Sequence, residues 1–153
     1  MASPYQTKTF SSDGLTIAYF DEGEGDPILL IHGFASSKEM NWVTPGWVDT
    51  LLKDGRRVIA LDNRGHGESE KIYEKEAYGA DVMSGDAARL IDHLGLERVD
   101  VMGYSIGARI SAFLSLAHPE KVRSVVLGGL GIGLVRGVGG QEEIASALEA
   151  PSL

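Results

Sequence analysis

The chain is organised around residues 99–112, which read VDVMGYSIGARISA. Apolar residues at 99, 101 and 102 predict a buried strand, and helical spacing from Ile106 onward predicts a helix. Only GYSIG, residues 103–107, lies between the two elements. The chain must therefore turn sharply, and the central residue, Ser105, is expected to adopt an unfavourable backbone conformation. The flanking glycines, Gly103 and Gly107, remove side chains that would collide across such a turn.

This turn makes Ser105 a candidate nucleophile. Its hydroxyl is lifted from the backbone at the N-terminal end of a helix, where the helix dipole favours negative charge. A serine between two glycines can also be an ordinary helix N-cap, so the five residues alone leave a structural role open. The strand before the turn and the helix after it favour the nucleophile.

The composition restricts the class of protein. A chain of 153 residues, 43% hydrophobic and 24% charged, suits one globular domain. The net charge of −8 argues against a nucleic-acid partner or an anionic membrane surface. The absence of cysteine excludes disulfides and thiolate metal sites. The first residues show neither a basic start nor an apolar run, so we expect a cytoplasmic protein that does not bind membranes.

No cofactor or metal ion is expected. The loop at 62–69 is rich in glycine, but no G-K-[ST] follows it and no G-x-G-x-x-G occurs in the chain. The carboxylates of the acidic loop at 21–26 do not follow calcium-loop spacing, and a solvated turn is the better interpretation.

Strands and helices alternate along most of the chain. Strands at 7–12 and 15–20 flank Asp13-Gly14, which is typical of a hairpin. Further apolar strands are predicted at 27–31, 57–61, 99–104 and 122–127, and helices at 45–54, 78–94 and 106–117. This order predicts an α/β fold: a mostly parallel sheet with an N-terminal antiparallel hairpin and helices on both faces. Trp47 and Val82 are assigned to the buried sides of their helices.

Ligands of such sheets bind at the carboxyl ends of the strands. His32-Gly33-Phe34 follows the strand at 27–31, and Gly33 lets the chain fold closely so that the amide of Phe34 points into a cleft. Such an amide can stabilise the oxyanion of acyl transfer. We expect His32 to brace the loop. His66 is a possible base but more typical of a bracing residue.

Four motifs resemble the N-terminal half of the α/β-hydrolase fold family, in the family's order: LLIHGF at 29–34, DNRGHGES at 62–69, GYSIGA at 103–108 and AHPEKV at 117–122. The resemblance implies that Ser105 is the nucleophile and that the amides of Phe34 and Ile106 form the oxyanion hole. Supporting positions are His32, Gly33, Gly103, Tyr104 and Gly107. Within the loop at 62–69, Asp62 and Arg64 are expected to make local hydrogen bonds.

Serine at position 105 disfavours the dehalogenase and epoxide-hydrolase branches of the family, which use aspartate there. It favours hydrolysis of an ester, thioester or carbon–carbon bond in a small molecule. Acyltransferase or haloperoxidase-like chemistry remains open, as does a non-catalytic, self-associating half-domain.

The family places its acid and then its histidine after the nucleophile. The histidine that follows Ser105 here is His118, at the far end of a helix of about twelve residues, roughly 18 Å away. Gly128 and Gly129 occupy a position that sometimes holds the acid. We therefore expect an incomplete triad, with residues 1–133 forming half of a hydrolase core and 134–153 a linker with a short helix at 141–149. A chain of this kind is expected to be inactive or very weak.

The strand at 122–127 is expected to have an unpaired outer edge, with Val122, Val125, Val126 and Leu127 beside it. The following segment, 130–138, adds apolar surface. A two-fold homodimer joined near this edge is the simplest closed arrangement, and it would bring the two Ser105 clefts toward a shared interface.

Overall fold

A computed structural model describes residues 3–132. Six strands form one sheet in the order β1-β2-β4-β3-β5-β6. They are β1 (Lys8–Ser12), β2 (Leu15–Glu22), β3 (Pro27–Ile31), β4 (Arg57–Leu61), β5 (Val99–Tyr104) and β6 (Val122–Gly128). The predicted linker at 134–153, with its helix at 141–149, lies outside the described residues.

The first two strands form the predicted antiparallel hairpin. Asp13 and Gly14 both have positive φ, 51° and 85°. A two-residue hairpin turn needs these values to match the right-handed twist of its strands. β2 also runs antiparallel to β4, whereas β3 pairs in parallel with β4 and β5, and β5 in parallel with β6. The prediction of a mostly parallel sheet with an N-terminal hairpin is confirmed.

Helices cover both faces of the sheet, as predicted. They are α1 (Trp47–Lys53), α2 (Ala80–His93) and α3 (Ile106–Ala117). Because side chains alternate along each strand, β3 sends Leu29 and Ile31 into the core under α2 and α3, and Ile28 and Leu30 into the core under α1. In residues 3–132, none of the helices combines the length and hydropathy needed to cross a bilayer.

Two helical assignments were wrong. Val82 is 40% exposed, because it lies five residues before the buried Ala87 and is rotated from it by about 140° around the helix. Trp47 is 48% exposed at the first position of α1, while its neighbour Val48 is fully buried. A single π-helical turn, Glu39–Val43, precedes α1 and was not predicted.

Candidate active site

Ser105 occupies the turn between β5 and α3. Its backbone has φ 58° and ψ −120°, outside the conformations that a residue with a side chain ordinarily adopts. The Ser105 amide donates to the carbonyl oxygen of Gly128 at 2.8 Å, and the Ser105 carbonyl accepts from Ala108 at 3.0 Å. The turn is thus fastened both to the end of β6 and to the first turn of α3.

The glycines around Ser105 lie where the backbones come closest together. A Cβ atom on Gly103 would lie 2.2 Å from the Gly107 carbonyl oxygen, and one on Gly107 would lie 2.1 Å from that of Ile31. A Cβ on Gly33 would lie 3.3 Å from the Cβ of Ser105. The loop after β3 and the N-terminus of α3 therefore meet at Ser105.

Two backbone amides at this meeting point have no internal acceptor. Across residues 3–132, neither the Phe34 nor the Ile106 N–H donates a hydrogen bond to a protein group. The neighbouring Gly33 N–H differs, because it donates to Oδ1 of Asn41 at 2.9 Å. An anionic oxygen beside Ser105 could accept from such amides.

His32 is fully buried and joins two loops. Its Nδ1 lies 2.7 Å from the Gly33 carbonyl oxygen, and its Nε2 accepts from the Asn63 amide at 3.0 Å. Burial lowers the pKa of His32 from 6.5 to about 4. A neutral ring with Nδ1 protonated satisfies both contacts, which fits the expected bracing role.

The other three histidines are also occupied or distant. Nε2 of His66 accepts from the Ala35 amide at 3.2 Å, and its Nδ1 donates to the Arg64 carbonyl oxygen at 3.0 Å. His93 stacks on Phe10, with ring centroids 5.3 Å apart. His118 follows the last residue of α3 and lies beside Glu120, with Nδ1 3.4 Å from Oε1. The structure thus brings none of them to Ser105 with a free ring nitrogen.

A buried lysine, which the sequence analysis did not single out, joins the loops after β3 and β4. The Lys38 ammonium lies 2.6 Å from Asp62 and 3.1 Å from both Glu39 and Glu68. Burial alone would lower the pKa of Lys38, but the hydrogen bond and charge of Asp62, together with the hydrogen bonds to Glu39 and Glu68, raise it. The three carboxylates lie close enough to hold a metal ion, but the ammonium group contacts all of them. Asp62 also accepts the Lys38 and Glu68 amides, at 2.8 and 3.0 Å.

The side-chain contacts of Arg64 are not the local hydrogen bonds that were predicted. Its guanidinium donates twice to Asp86 on α2, at 2.8 Å in each case, and both side chains are buried. Asp86 in turn accepts from the Ser12 hydroxyl at 2.5 Å. This network anchors the loop after β4 to the helix, in addition to the local hydrogen bonds that Asp62 accepts from the Glu68 amide and the Ser69 hydroxyl. A charged pair so far apart in the chain leaves no local pattern in the sequence.

An open cavity of about 620 Å³ lies beside Ser105. Gly33, Phe34, Gly103, Tyr104 and Ser105 line it, so the structure gathers these predicted site residues in one place. It also adds side chains that the sequence analysis did not assign to the site: Met40, Asn41, Trp42, Trp47 and Val126. The two tryptophans, five positions apart just after HGF, are the signal that could have revealed this wall.

A family model described as the alpha/beta hydrolase fold matches residues 26–134. Over 118 residues the chain is 34% identical to a putative 2-succinyl-6-hydroxy-2,4-cyclohexadiene-1-carboxylate synthase of Bacillus subtilis, covering 76% of this chain and 41% of that protein. It is 35% identical over 127 residues to a 2-hydroxymuconate semialdehyde hydrolase of Pseudomonas sp., covering 83% and 44%.

Solved structures agree with this likeness. The epoxide hydrolase VrEH1 of Vigna radiata superposes with a TM-score of 0.73 at 28% identity, over 79% of this chain and 38% of that one. The chain therefore spans about two fifths of the length of the proteins it matches. Both its sequence and its fold show that this chain belongs to the α/β-hydrolase family.

Proposed function

We propose that Ser105 is the nucleophile of a serine hydrolase acting on an ester, a thioester or a related carbon–carbon bond. The observation that supports this most is that a strained serine lies where two loops meet, and that each loop leaves one amide unpaired within residues 3–132, those of Phe34 and Ile106. Strain of this kind, about 1–3 kcal/mol, persists only where the surrounding structure imposes it. The structural relative VrEH1 is named an epoxide hydrolase, and that branch of the family uses aspartate where this chain has Ser105. Serine at this position therefore argues against epoxide-hydrolase chemistry.

The proposed reaction begins when Oγ of Ser105 bonds to the carbonyl carbon of the substrate. The carbonyl oxygen becomes an oxyanion and accepts hydrogen bonds from the Phe34 and Ile106 amides. When the tetrahedral intermediate collapses, the bond to the leaving group breaks, and the proton lost by Ser105 passes to that group. Water then cleaves the acyl-enzyme and restores the serine.

This sequence needs a base to carry the proton, and the four histidines of this chain have other contacts or lie too far away. We place the base and the acid in the part of a full-length hydrolase to which this chain does not align. Without a base, a serine hydroxyl is a weak nucleophile, although an oxyanion hole and a binding cleft still leave some catalysis.

The test is hydrolysis of p-nitrophenyl acetate by the chain and two variants. We expect slow turnover that Ser105→Ala abolishes and that Ser115→Ala, a serine further along α3, leaves unchanged. Equal rates in the two variants would contradict the proposal. Turnover near that of ordinary enzymes, about 1 s⁻¹ or faster, would show that a base is present, and His32 and His66 would then be the first to replace.

A second candidate, a self-associating domain without catalysis, is favoured by the edge of the sheet. In residues 3–132, β6 pairs with β5 alone, and Val125, Val126 and Leu127 are 38%, 54% and 42% exposed. We propose that a second copy of the chain covers this edge in a two-fold dimer. Retained dimerisation with no Ser105-dependent turnover would favour this candidate over the hydrolase.

A further inference from the structure

Ala35 holds a backbone conformation that alanine ordinarily avoids. Within residues 3–132, three residues other than glycine have positive φ: Asp13 in the hairpin turn, Ser105, and Ala35 with φ 57°. A Cβ atom makes this region unfavourable, and alanine lacks the polar side chain with which aspartate can hydrogen-bond locally. Ala35 is exposed, so no burial of its methyl group offsets the cost. Contacts of its backbone must therefore hold it there.

Ala35 is the third residue of a tight turn whose second residue is Phe34. The Ser36 amide donates to the Gly33 carbonyl oxygen at 3.3 Å and closes the turn. Positive φ at the third position is the mark of a type II turn, where glycine is the usual residue. The commoner type I turn has negative φ there and differs by a flip of the peptide between the second and third residues. Alanine by itself favours type I.

His66 makes the contact that favours the observed turn. Its Nε2 accepts the Ala35 N–H at 3.2 Å, and that N–H belongs to the peptide that would flip. After a flip, the Phe34 carbonyl oxygen would take the place of the N–H, and two acceptors would face each other. The hydrogen bond therefore selects the type II turn in spite of the alanine.

The loop after β4 holds the His66 ring in place. Nδ1 donates to the Arg64 carbonyl oxygen at 3.0 Å, which leaves Nε2 unprotonated in the neutral ring. The His66 backbone N–H donates to the Asn63 carbonyl oxygen at 3.0 Å, and its carbonyl oxygen accepts from the Ser69 amide at 3.0 Å. To act as a general base, His66 would have to give up its bond to Ala35. A positioning role fits these contacts better.

The same turn determines where the Phe34 amide points. In a planar trans peptide the N–H points away from the C=O of the same unit. The Gly33 carbonyl oxygen lies 2.7 Å from Nδ1 of His32 and accepts from Ser36 inside the turn, so the Phe34 N–H is directed away from both. Relaxation of Ala35 to negative φ requires a peptide flip or an opening of the turn. Either change rotates the backbone of Phe34.

We propose that His66 is a positioning residue for the oxyanion hole. By accepting the Ala35 N–H, it keeps the turn at 33–36 in the conformation that presents the Phe34 amide beside Ser105. The inference rests on the proposed function, because it takes the Phe34 amide as a donor to the oxyanion. His66 itself touches neither the substrate nor Ser105 in this scheme.

The first measurement needs no ligand. Residual dipolar couplings in a ¹⁵N-labelled chain report the direction of each backbone N–H bond. His66→Phe keeps an aromatic ring but removes the acceptor, and we expect it to change the coupling of Phe34 while that of Ile106 stays as in the parent. His93→Phe, which replaces an exposed histidine, should change neither.

A second substitution tests the cause. Glycine adopts positive φ without strain, so adding Ala35→Gly to His66→Phe should restore the parental coupling of Phe34. An unchanged Phe34 coupling in His66→Phe, or no recovery in the double variant, would overturn the proposal. The unsubstituted chain offers a check that does not depend on folding of the variants: the ring ¹⁵N shifts in mildly alkaline buffer should identify Nε2 of His66 as unprotonated. A protonated Nε2 would equally overturn the proposal.

Phenylboronic acid then tests the link to Ser105. Its boron bonds to Oγ of Ser105, the serine proton passes to water, and an oxygen on the tetrahedral boron takes the position of the oxyanion. We expect the Phe34 and Ile106 amide signals to shift in the parent, and His66→Phe to bind the boronate roughly tenfold more weakly or worse. Ala35→Gly should restore the affinity in the double variant. Equal affinities of the parent and His66→Phe would contradict the positioning role.

The two measurements separate this inference from the proposed function. Boronate that moves neither amide of the parent, together with dipolar couplings that respond as expected, means that the hydrolase assignment fails while control of the turn by His66 stands. Boronate that moves both amides, with couplings indifferent to His66, means the reverse.

Discussion

Gly103 has no space for a side chain, because a Cβ there would also lie 2.4 Å from the Ser111 hydroxyl oxygen. Its neighbours are backbone and a buried helix residue, which cannot move without opening the contact between β5 and α3. We predict that Gly103→Val destabilises the fold by several kcal/mol, roughly 3 or more, measured by urea unfolding.

The matched control is Gly131→Val, since a Cβ at Gly131 meets nothing within 4 Å and its φ is not in the left-handed region. This variant should unfold within about 0.5 kcal/mol of the parent. An unchanged midpoint for Gly103→Val would argue against a tight turn at Ser105.

The low pKa of His32 gives a pH dependence of defined sign. Burial holds it at about 4, against 6.5 in the unfolded chain, so the unfolded state binds more protons between these values. The contribution of His32 to the free energy of unfolding is therefore complete above pH 6.5. As the pH falls toward 4, the free energy of unfolding decreases by about 3 kcal/mol.

Urea unfolding at pH 7 and pH 4.5 checks this prediction. The loss of stability between the two should be smaller in His32→Gln than in His93→Gln, because His93 is exposed. Carboxylates that titrate in this range contribute to both variants alike. Equal losses would show that His32 is not held neutral.

Lys38 joins the loop after β3, which reaches Ser105 at Gly33, to the loop after β4. Removing its ammonium would leave the fully buried Asp62 carboxylate without its main counter-charge. We predict that Lys38→Met destabilises the fold by about 3–5 kcal/mol, again measured by urea unfolding.

Lys53→Met is the comparison, because Lys53 and Asp49 form an ion pair whose side chains are 77% and 64% exposed. That pair should contribute little to stability, because solvent screens it. Similar effects at the two lysines would mean that solvent screens the Lys38 cluster as well.

The regular elements could be predicted because each leaves a local pattern. β3 and β4 begin and end at the predicted residues, since their apolar runs stop where polar loops begin. The π-helical turn at Glu39–Val43 leaves no such periodicity. The partners of Lys38 and Arg64 lie 24 and 22 residues away, and pairings at that distance depend on how the sheet brings loops together. The cavity wall was also missed, because its residues come from β5, β6 and the segment after β3, which the folded sheet brings together.

At the scale of the whole molecule, the edge of β6 that residues 3–132 leave unpaired is the feature most open to experiment. A two-fold dimer would set two copies of β6 side by side and bury Val125, Val126 and Leu127. We predict that the chain sediments at equilibrium as a dimer at micromolar concentration and that Val126→Lys shifts it toward monomer. Val82→Lys, at a similarly exposed valine on α2, should leave the mass unchanged. A 16.4 kDa species at all concentrations would refute the dimer.

The hydrogen bond from the Ser105 amide to Gly128 has a consequence for the order of assembly. Gly128 ends the last described strand, so a nascent chain emerging from the ribosome contains Ser105 well before it contains the acceptor that fastens it. Until β6 has left the exit tunnel and paired with β5, nothing at Gly128 holds the serine at φ 58°. We therefore expect the turn to be completed late, after the hairpin and the central strands, with the serine in a relaxed conformation until then.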